Sequence, residues 1–237
     1  MTGSLTGFDD WLNRLLEECA RDAGEDVVSY VARAVGSQMV ADLRRSERGS
    51  VEELMAHLNA CKVFAETAMP SVEAEITDPA RLQALYATGL LDSPTEEAYD
   101  RITRAAAAAL DAPSAAVSLI DVDRQFFKSS VGMGTSDEQR QTPLDRSICQ
   151  YAVANGAALL LEDARTDPVF RNHPAVLDGT VVAYLGIPLI DREDNAVGTL
   201  CVFDDKPRLW GTGHVQILSD LAQLAADRMF GGGSQQH

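Results

Sequence analysis

The first third of the chain repeats its apolar residues at the spacing of an α-helix. One segment begins at residue 8 and a second covers 27–40, and both place apolar positions three or four residues apart. A third segment begins near Ser50, where Glu53 stands at capping-box distance. The apolar face of the first segment consists of Phe8, Trp11, Leu12, Leu15, Leu16 and Cys19. We therefore predict a helical N-terminal region over residues 1–75.

Two helix-start signals follow this region. Thr77–Pro79 combines a capping residue with proline at the first helical position, and Ser93–Glu96 has the form of a capping box. An alanine-rich face follows the second signal, which is typical of a helix packed closely against a sheet. We expect Gly89 to end the first of these helices, because glycine readily takes the left-handed conformation of a helix C-terminus.

Short apolar runs then replace the helical pattern and predict strands. The runs are 115–121, 125–131, 158–161, 181–190 and 196–203. Polar turn residues at 121–124 and 191–195 join two pairs of these strands into antiparallel hairpins. A helix from residue 144 or 145 to 155 lies between them, and a heptad-like helix over 215–229 follows them. Adjacent hairpins covered by helices indicate an α+β domain.

Composition and charge exclude several classes of protein. The chain of 237 residues carries 36 acidic and 20 basic residues, a net charge of −16, so binding to nucleic acid or to an anionic membrane is not expected. No apolar run approaches the roughly 20 residues of a membrane span, and the N-terminus lacks the pattern of a signal peptide. The four cysteines are far apart, with no CxxC pair. We therefore expect a reduced, cytoplasmic protein.

From about residue 76 to residue 229 the chain resembles the GAF family, in the form common in bacterial sensor kinases and cyclic-dinucleotide enzymes. The resemblance rests on segments in the family's order: Arg81-Leu with 91–97, 117–121, 123–128, Thr142-Pro with 147–149, 162–170, 184–189 and 198–204. It implies an α+β domain over 76–230, with a six-stranded antiparallel sheet between helices. We recognise no family for residues 1–75, and 231–237 are expected to form a flexible tail.

The resemblance also implies a small-molecule pocket on one face of the sheet, under the irregular segment 163–180. The predicted pocket residues are Phe127, Ile148, Cys149, Asp163, Phe170 and Tyr184. Lys128 and Arg171 either meet an anionic ligand or are solvated. We accordingly predict a small-molecule-sensing regulatory protein of signal transduction, with no catalytic activity and with an unidentified ligand.

No cofactor is expected. His173 lies in the loop over the predicted pocket, and some GAF domains bind haem through such a histidine, but a surface histidine is the commoner case. Cys149 is followed by Gln150 and not by the histidine usual in bilin-binding relatives.

Two alternatives to the sensor remain open. One is an enzyme like the free methionine sulfoxide reductases of the GAF family, with Cys149 as the reactive thiol. Against it, the glycine-rich signature of those reductases is missing, and Cys201 lies in an apolar strand. The other is a scaffold that binds no ligand and acts by dimerisation or protein binding.

The expected partners include a second copy of the chain and a signalling protein. Family members often dimerise through their terminal helices, and the heptad-like seam over 215–229 is suited to such a contact. The alternative is that this seam packs within its own chain, on the helix 77–89 or on the N-terminal helices.

Overall fold

The computed structural model describes residues 9–22, 26–46, 53–54, 57–58, 61, 71–133 and 140–231. The chain divides into two compact units, one of residues 1–69 with 165–180 and the other of residues 70–164 with 181–237. The described α-helices are α1 (Asp10–Asp22), α2 (Val27–Ser46), α3 (Glu73–Ile76), α4 (Pro79–Ala87), α5 (Glu97–Ala109), α6 (Cys149–Asn155), α7 (Pro174–Leu177) and α8 (Thr212–Phe230). The strands are β1 (Ser114–Ile120), β2 (Arg124–Val131), β3 (Gln141–Pro143), β4 (Leu159–Leu161), β5 (Ala183–Ile190) and β6 (Ala196–Asp204).

In the first unit, most of the described residues before residue 69 are helical, as the sequence predicted. Asp9 caps α1 by accepting a hydrogen bond from the Leu12 amide at 2.8 Å, and Asp26 caps α2 by accepting from the Ser29 amide at 3.1 Å. A small apolar cluster of Val40, Leu58 and Leu177, with Leu54 against it, forms within this unit. Most of the predicted third helix, residue 8 and the predicted tail after residue 231 lie outside the described residues.

The second unit contains the predicted six-stranded antiparallel sheet. Its strands lie in the order β3-β2-β1-β6-β5-β4, and every pair is antiparallel. The two predicted hairpins are the β1–β2 and β5–β6 pairs. The edge strand β3 was not predicted, because Gln141-Thr-Pro143 has no apolar run and is held by its pairing with β2 alone.

One face of the sheet packs on α5 and α8 and forms the main core. Alternate residues of the central strands, such as Leu119, Leu185 and Leu200, point into this core because successive side chains of a strand leave opposite faces. The predicted seam of α8 lies there too: Leu218, Ala222, Ala225 and Met229 are buried. The seam therefore packs within its own unit, as one of the two interpretations held, in the core that the sheet and α5 also form.

Helix starts were predicted with mixed success. Asp78 caps α4 by accepting a hydrogen bond from the Arg81 amide at 2.9 Å, with Pro79 at the first helical position, as predicted. The capping box at Ser93 was wrong, since α5 begins at Glu97. The Ser93 hydroxyl instead donates to the Leu90 carbonyl at 2.7 Å and accepts from the Lys128 ammonium at 2.6 Å.

The opposite face of the sheet is covered by α6. Leu144–Arg146 form a 3₁₀ turn before this helix, and Gly156, with φ of 58°, ends it. The helix is anchored at its start by Ser147, whose hydroxyl donates to the Gln125 side chain on β2. Gln150 adds a hydrogen bond from its amide group to the Leu144 carbonyl at 2.6 Å. These contacts fix the first residue of α6, Cys149, over the middle of the sheet.

Candidate functional site

A group of buried hydroxyls and thiols lies between α6 and the sheet. We call it the hydroxyl–thiol cluster; its members are Ser118 on β1, Cys149 on α6, Tyr184 on β5, and Thr199 and Cys201 on β6. Strand pairing brings them together, because directly opposed residues of antiparallel strands point to the same face. Ser118 is directly opposed to Thr199. Cys201 is opposed to Gly186, and Tyr184 lies on the same face of β5 because it is two residues from Gly186.

Cys149 is the centre of this cluster. The Tyr184 hydroxyl donates a hydrogen bond to its Sγ at 3.2 Å, and the Ser118 Oγ lies 3.5 Å from the same sulfur. The Cys149 and Cys201 Sγ atoms lie 3.8 Å apart, close enough for a weak hydrogen bond between the two thiols. Ser118 also contacts Thr199, at 3.2 Å between their oxygens. One sulfur atom therefore accepts from Tyr184 and has two further polar neighbours, Ser118 and Cys201.

These contacts favour the thiolate form of Cys149. The hydrogen bond from Cys201 is the largest cause that lowers the pKa of Cys149, from 9.0 to about 6, against the opposing effect of burial. The same hydrogen bond raises the pKa of Cys201, and burial raises the pKa of Tyr184. Cys149 is 3% exposed and Cys201 1%, so the negative charge would be held inside the protein.

Gly186 makes room for the Tyr184 side chain. A Cβ atom placed on Gly186 would overlap the hydroxyl and ring of Tyr184, which lies along the same face of β5. The tyrosine ring can therefore reach Cys149 only because residue 186 has no side chain.

The predicted pocket residues divide into two groups. Cys149 and Tyr184 are in contact, and Phe127 is opposed to Ser118 in the β1–β2 pair, so it points to the same face. Ile148 immediately precedes α6 and is buried. Asp163 follows β4 in the second unit, whereas Phe170 belongs to the first unit, in the 3₁₀ turn Phe170–Asn172. Ligand binding by these residues stays a prediction.

Sequence reasoning missed three members of the cluster: Ser118, Thr199 and Cys201. A signal was present, because Ser118 and Thr199 are polar residues inside predicted strands that are mostly apolar. Cys201 gave no signal of its own, since a cysteine in an apolar strand is usually a packed side chain. Only the pairing of β5 with β6 and the placement of α6 put it beside Cys149.

Lys128 does not face the hydroxyl–thiol cluster. Its side chain is fully buried against α5, with the ammonium 2.8 Å from the Glu96 carboxylate and 2.6 Å from the Pro94 carbonyl. It also lies 5.6 Å from the centre of the Tyr99 ring. The alternative that Lys128 is solvated was therefore wrong, and its ammonium is paired with Glu96. Arg171, its proposed companion, lies in the first unit.

An open hollow of about 510 Å³ lies elsewhere in the second unit, at the end of α8. It is lined by the β5–β6 turn, including Asp191 and Arg192, and by Asp227 and Phe230 of α8. None of the predicted pocket residues lines it.

Within the part of the chain that the structure describes, no three His, Cys, Asp or Glu side chains are grouped to hold a metal ion. In the same residues, no helix has the length and apolar character needed to cross a bilayer.

The family model of the GAF domain matches residues 94–229, which is more than half of the chain. The chain belongs to the GAF domain family. The match begins just before α5 and ends near the end of α8, so it contains the whole sheet and the hydroxyl–thiol cluster.

This chain is similar to a cyclic di-GMP phosphodiesterase of Pseudomonas aeruginosa. The two are 36% identical over 121 residues, which cover 51% of this chain and 20% of that protein. The chain thus spans about a fifth of the length of this relative.

Solved structures give weaker likenesses. The GAF domain of an Acinetobacter phosphoenolpyruvate-protein phosphotransferase is 17% identical, with a TM-score of 0.47, over 65% of this chain and 94% of that one. The free methionine-R-sulfoxide reductase of Neisseria meningitidis is 16% identical, with a TM-score of 0.46, over 63% of this chain and 85% of the reductase.

Proposed function

We propose that this protein is a cytoplasmic regulator of bacterial signal transduction that binds a small molecule at the hydroxyl–thiol cluster and has no catalytic activity of its own. The observation that carries the proposal is the chemistry of the sheet face under α6. Hydroxyls from Ser118, Thr199 and Tyr184 are buried among apolar neighbours on one face. A few fixed polar groups in an apolar setting are typical of small-ligand sites.

A ligand at this face would act by moving α6. The helix is short, and its start is held by side-chain hydrogen bonds from Ser147 and Gln150. A ligand that binds one position of α6 more tightly than another shifts the population between them. A protein partner or a second copy of the chain would bind differently to the two positions of α6.

The relative from Pseudomonas is consistent with a regulatory role. Its name describes an enzyme of cyclic di-GMP, and this chain matches only a fifth of its length. We propose that the shared part regulates and that the ligand comes from the same signalling chemistry, a nucleotide or another small metabolite.

Native mass spectrometry of the purified full chain tests the proposal directly, together with its visible absorption spectrum. We expect a retained small molecule or, failing that, a rise in melting temperature on addition of a compound from a panel that includes cyclic di-GMP and the cyclic mononucleotides. A spectrum with haem or bilin bands would contradict the expectation that no cofactor is bound.

A pair of tyrosine variants locates the site. Tyr184→Phe removes the hydroxyl that contacts Cys149, and Tyr86→Phe removes a hydroxyl that donates to Asp121 at 2.9 Å on another part of the domain. We expect only Tyr184→Phe to weaken binding, by about tenfold, the value of one hydrogen bond. Equal binding by wild type and both variants would place the site elsewhere.

One observation favours a second function, reduction of free methionine sulfoxide. The two thiols of Cys149 and Cys201 are in contact, which the sequence had not indicated. Both are buried, whereas a catalytic thiol must reach its substrate. Assay of the wild type and of Cys149→Ser distinguishes the functions. Turnover that depends on Cys149 supports the reductase, and absence of turnover in the wild type supports the sensor.

A further inference from the structure

We propose that Cys149 and Cys201 form a reversible disulfide when the protein meets a peroxide. This modification of the cluster does not depend on any ligand. Its basis is geometric: the two Sγ atoms are neighbours at 3.8 Å, in direct contact. A disulfide needs about 2.05 Å between the sulfurs, so they must approach by about 1.8 Å.

The surroundings of Cys149 suit it to be the thiol that reacts first. The Tyr184 hydroxyl donates to its sulfur at 3.2 Å, the Ser118 oxygen lies at 3.5 Å, and the Cys201 thiol completes the group. A hydroxyl that donates to the sulfur, with two further groups carrying hydrogen beside it, stabilises a thiolate more than a neutral thiol, and the thiolate is the nucleophile. Cys201 lies in the middle of β6 with its Sγ 3.8 Å from that of Cys149, which suits it to be the second thiol.

The chemistry needs one peroxide and no metal. The Cys149 thiolate attacks one peroxide oxygen; an S–O bond forms, the O–O bond breaks, and the departing hydroxide takes up the proton that Cys149 lost, which gives water. Cys201 then attacks the sulfenic sulfur; an S–S bond forms, the S–O bond breaks, and the hydroxide leaves with the Cys201 proton as a second water. The two thiols lose two electrons, and hydrogen peroxide gains them.

The burial of both thiols determines how selective this reaction is. Hydrogen peroxide is close to water in size and reaches the cluster by a local opening of α6, whereas larger oxidants and alkylating reagents need a wider opening. Cys61 is exposed and Cys19 is half-buried, so they provide internal references for unselective oxidation.

The disulfide would change the position of α6. Cys149 is the first residue of that helix and Cys201 lies on a central strand, so the bond ties the helix start to the sheet. It also removes the sulfur as an acceptor for Ser118 and Tyr184. The cluster would therefore differ in shape and polarity between the reduced and oxidised states.

Peptide mapping of the full chain tests the proposal. The reduced protein is treated with hydrogen peroxide, denatured, alkylated and digested. We expect a cross-linked peptide pair that contains Cys149 and Cys201, lighter by two hydrogen atoms than the two thiol peptides and absent after dithiothreitol. The proposal is overturned if both thiols are still fully alkylated at a dose that oxidises Cys61, or if Cys149 pairs with Cys19 or Cys61.

Cysteine and tyrosine variants test which residues form the cross-link. The double variant Cys19→Ser and Cys61→Ser still forms the cross-link if Cys149 and Cys201 are the two cysteines involved. Cys201→Ser leaves Cys149 without its second thiol, so a sulfenic acid at Cys149 is trapped by dimedone and no disulfide forms. If Cys201→Ser does not fold, the wild-type peptide map decides alone. Tyr184→Phe slows the cross-linking by about tenfold through loss of one hydrogen bond to the thiolate.

Discussion

At the scale of single residues, the chemistry of Cys149 depends on neighbours that are distant in the chain. Tyr184 and Cys201 are 35 and 52 residues away, yet both contact its sulfur. A cysteine in the same helix without these donors would be an inert packed side chain. The sequence made Cys149 a candidate site residue but did not indicate what surrounds it.

Replacement of Gly186 by alanine tests how Tyr184 is positioned. Because the new Cβ would overlap the tyrosine hydroxyl and ring, we expect Gly186→Ala to lower the free energy of unfolding by about 1–3 kcal/mol. Gly213→Ala is the matched control, since nothing lies within 4 Å of a Cβ there and Gly213 is helical. We expect its stability to be unchanged or raised by up to about 1 kcal/mol. Urea denaturation measures both; equal stabilities for the two variants would contradict the positioning role.

The lowered pKa of Cys149 predicts a dependence of stability on pH. Between the ordinary thiol value of 9.0 and the lowered pKa of about 6, the unfolded chain binds a proton that the folded protein does not. The free energy of unfolding therefore falls as the pH drops from 9 towards 6. We expect Cys149→Ser to lose this slope and Cys61→Ser to keep it, with denaturation curves measured across this pH range under reducing conditions. A slope that survives in Cys149→Ser would assign the titration to another group.

The buried Lys128 predicts a large loss of stability on truncation. Lys128→Ala removes the buried side chain and the partner of Glu96, so we expect the free energy of unfolding to fall by about 3 kcal/mol. The exposed Lys206 is the control, and Lys206→Ala should change stability by no more than about 0.5 kcal/mol. A loss below about 1 kcal/mol for Lys128→Ala would show that its buried contacts contribute little.

At the scale of elements, local sequence was a good guide where a helix end depends on neighbouring residues alone. Asp78 and Pro79 start α4 as predicted, because the cap is a contact between residues three apart. Ser93 failed as a cap because its hydroxyl is occupied by the neighbouring Leu90 carbonyl and by a tertiary partner, the buried Lys128. The strand β3 escaped prediction for a similar reason, since only its partner β2 holds it.

The cap of α4 gives a test at this scale. Asp78→Ala leaves the Arg81 amide without its acceptor, and we expect a loss of about 1 kcal/mol in the free energy of unfolding. Asp78→Asn retains an oxygen at the same position, and its free energy of unfolding should fall by at most about 0.3 kcal/mol. Chemical denaturation of the three proteins measures the difference, and equal losses in both variants would assign the effect to the charge instead of the cap.

At the scale of the whole molecule, the predicted homodimer needs a surface other than the heptad-like seam, which is buried in the core. The outer side of α8 carries Ile217, 40% exposed, and Leu224, 56% exposed, seven residues apart on one stripe. Such a stripe can pack against a second copy of the same helix.

Sedimentation velocity tests this contact. We expect the wild type to sediment as a dimer and Ile217→Glu with Leu224→Glu to sediment as a monomer, because charge on the stripe opposes burial. Leu209→Glu is the control: Leu209 is 80% exposed and lies outside the helix, so that variant should remain dimeric. A monomeric wild type would contradict the predicted homodimer, and a dimeric double variant would place the contact on another surface.

The sequence by itself determined the elements of this protein and its family. Periodicity of three to four marked the main helices and apolar runs marked five of the strands, because both patterns arise from residues that are neighbours in the chain. The ordered motifs from Arg81 to Asp204 indicated a GAF domain, which the family match confirms. Tertiary structure alone decided that Cys149 meets Cys201 and Tyr184, that the α8 seam faces the sheet, and that the buried Lys128 pairs with Glu96. Each of these depends on strand pairing and helix docking between segments far apart in sequence, and no local pattern encodes such a distance.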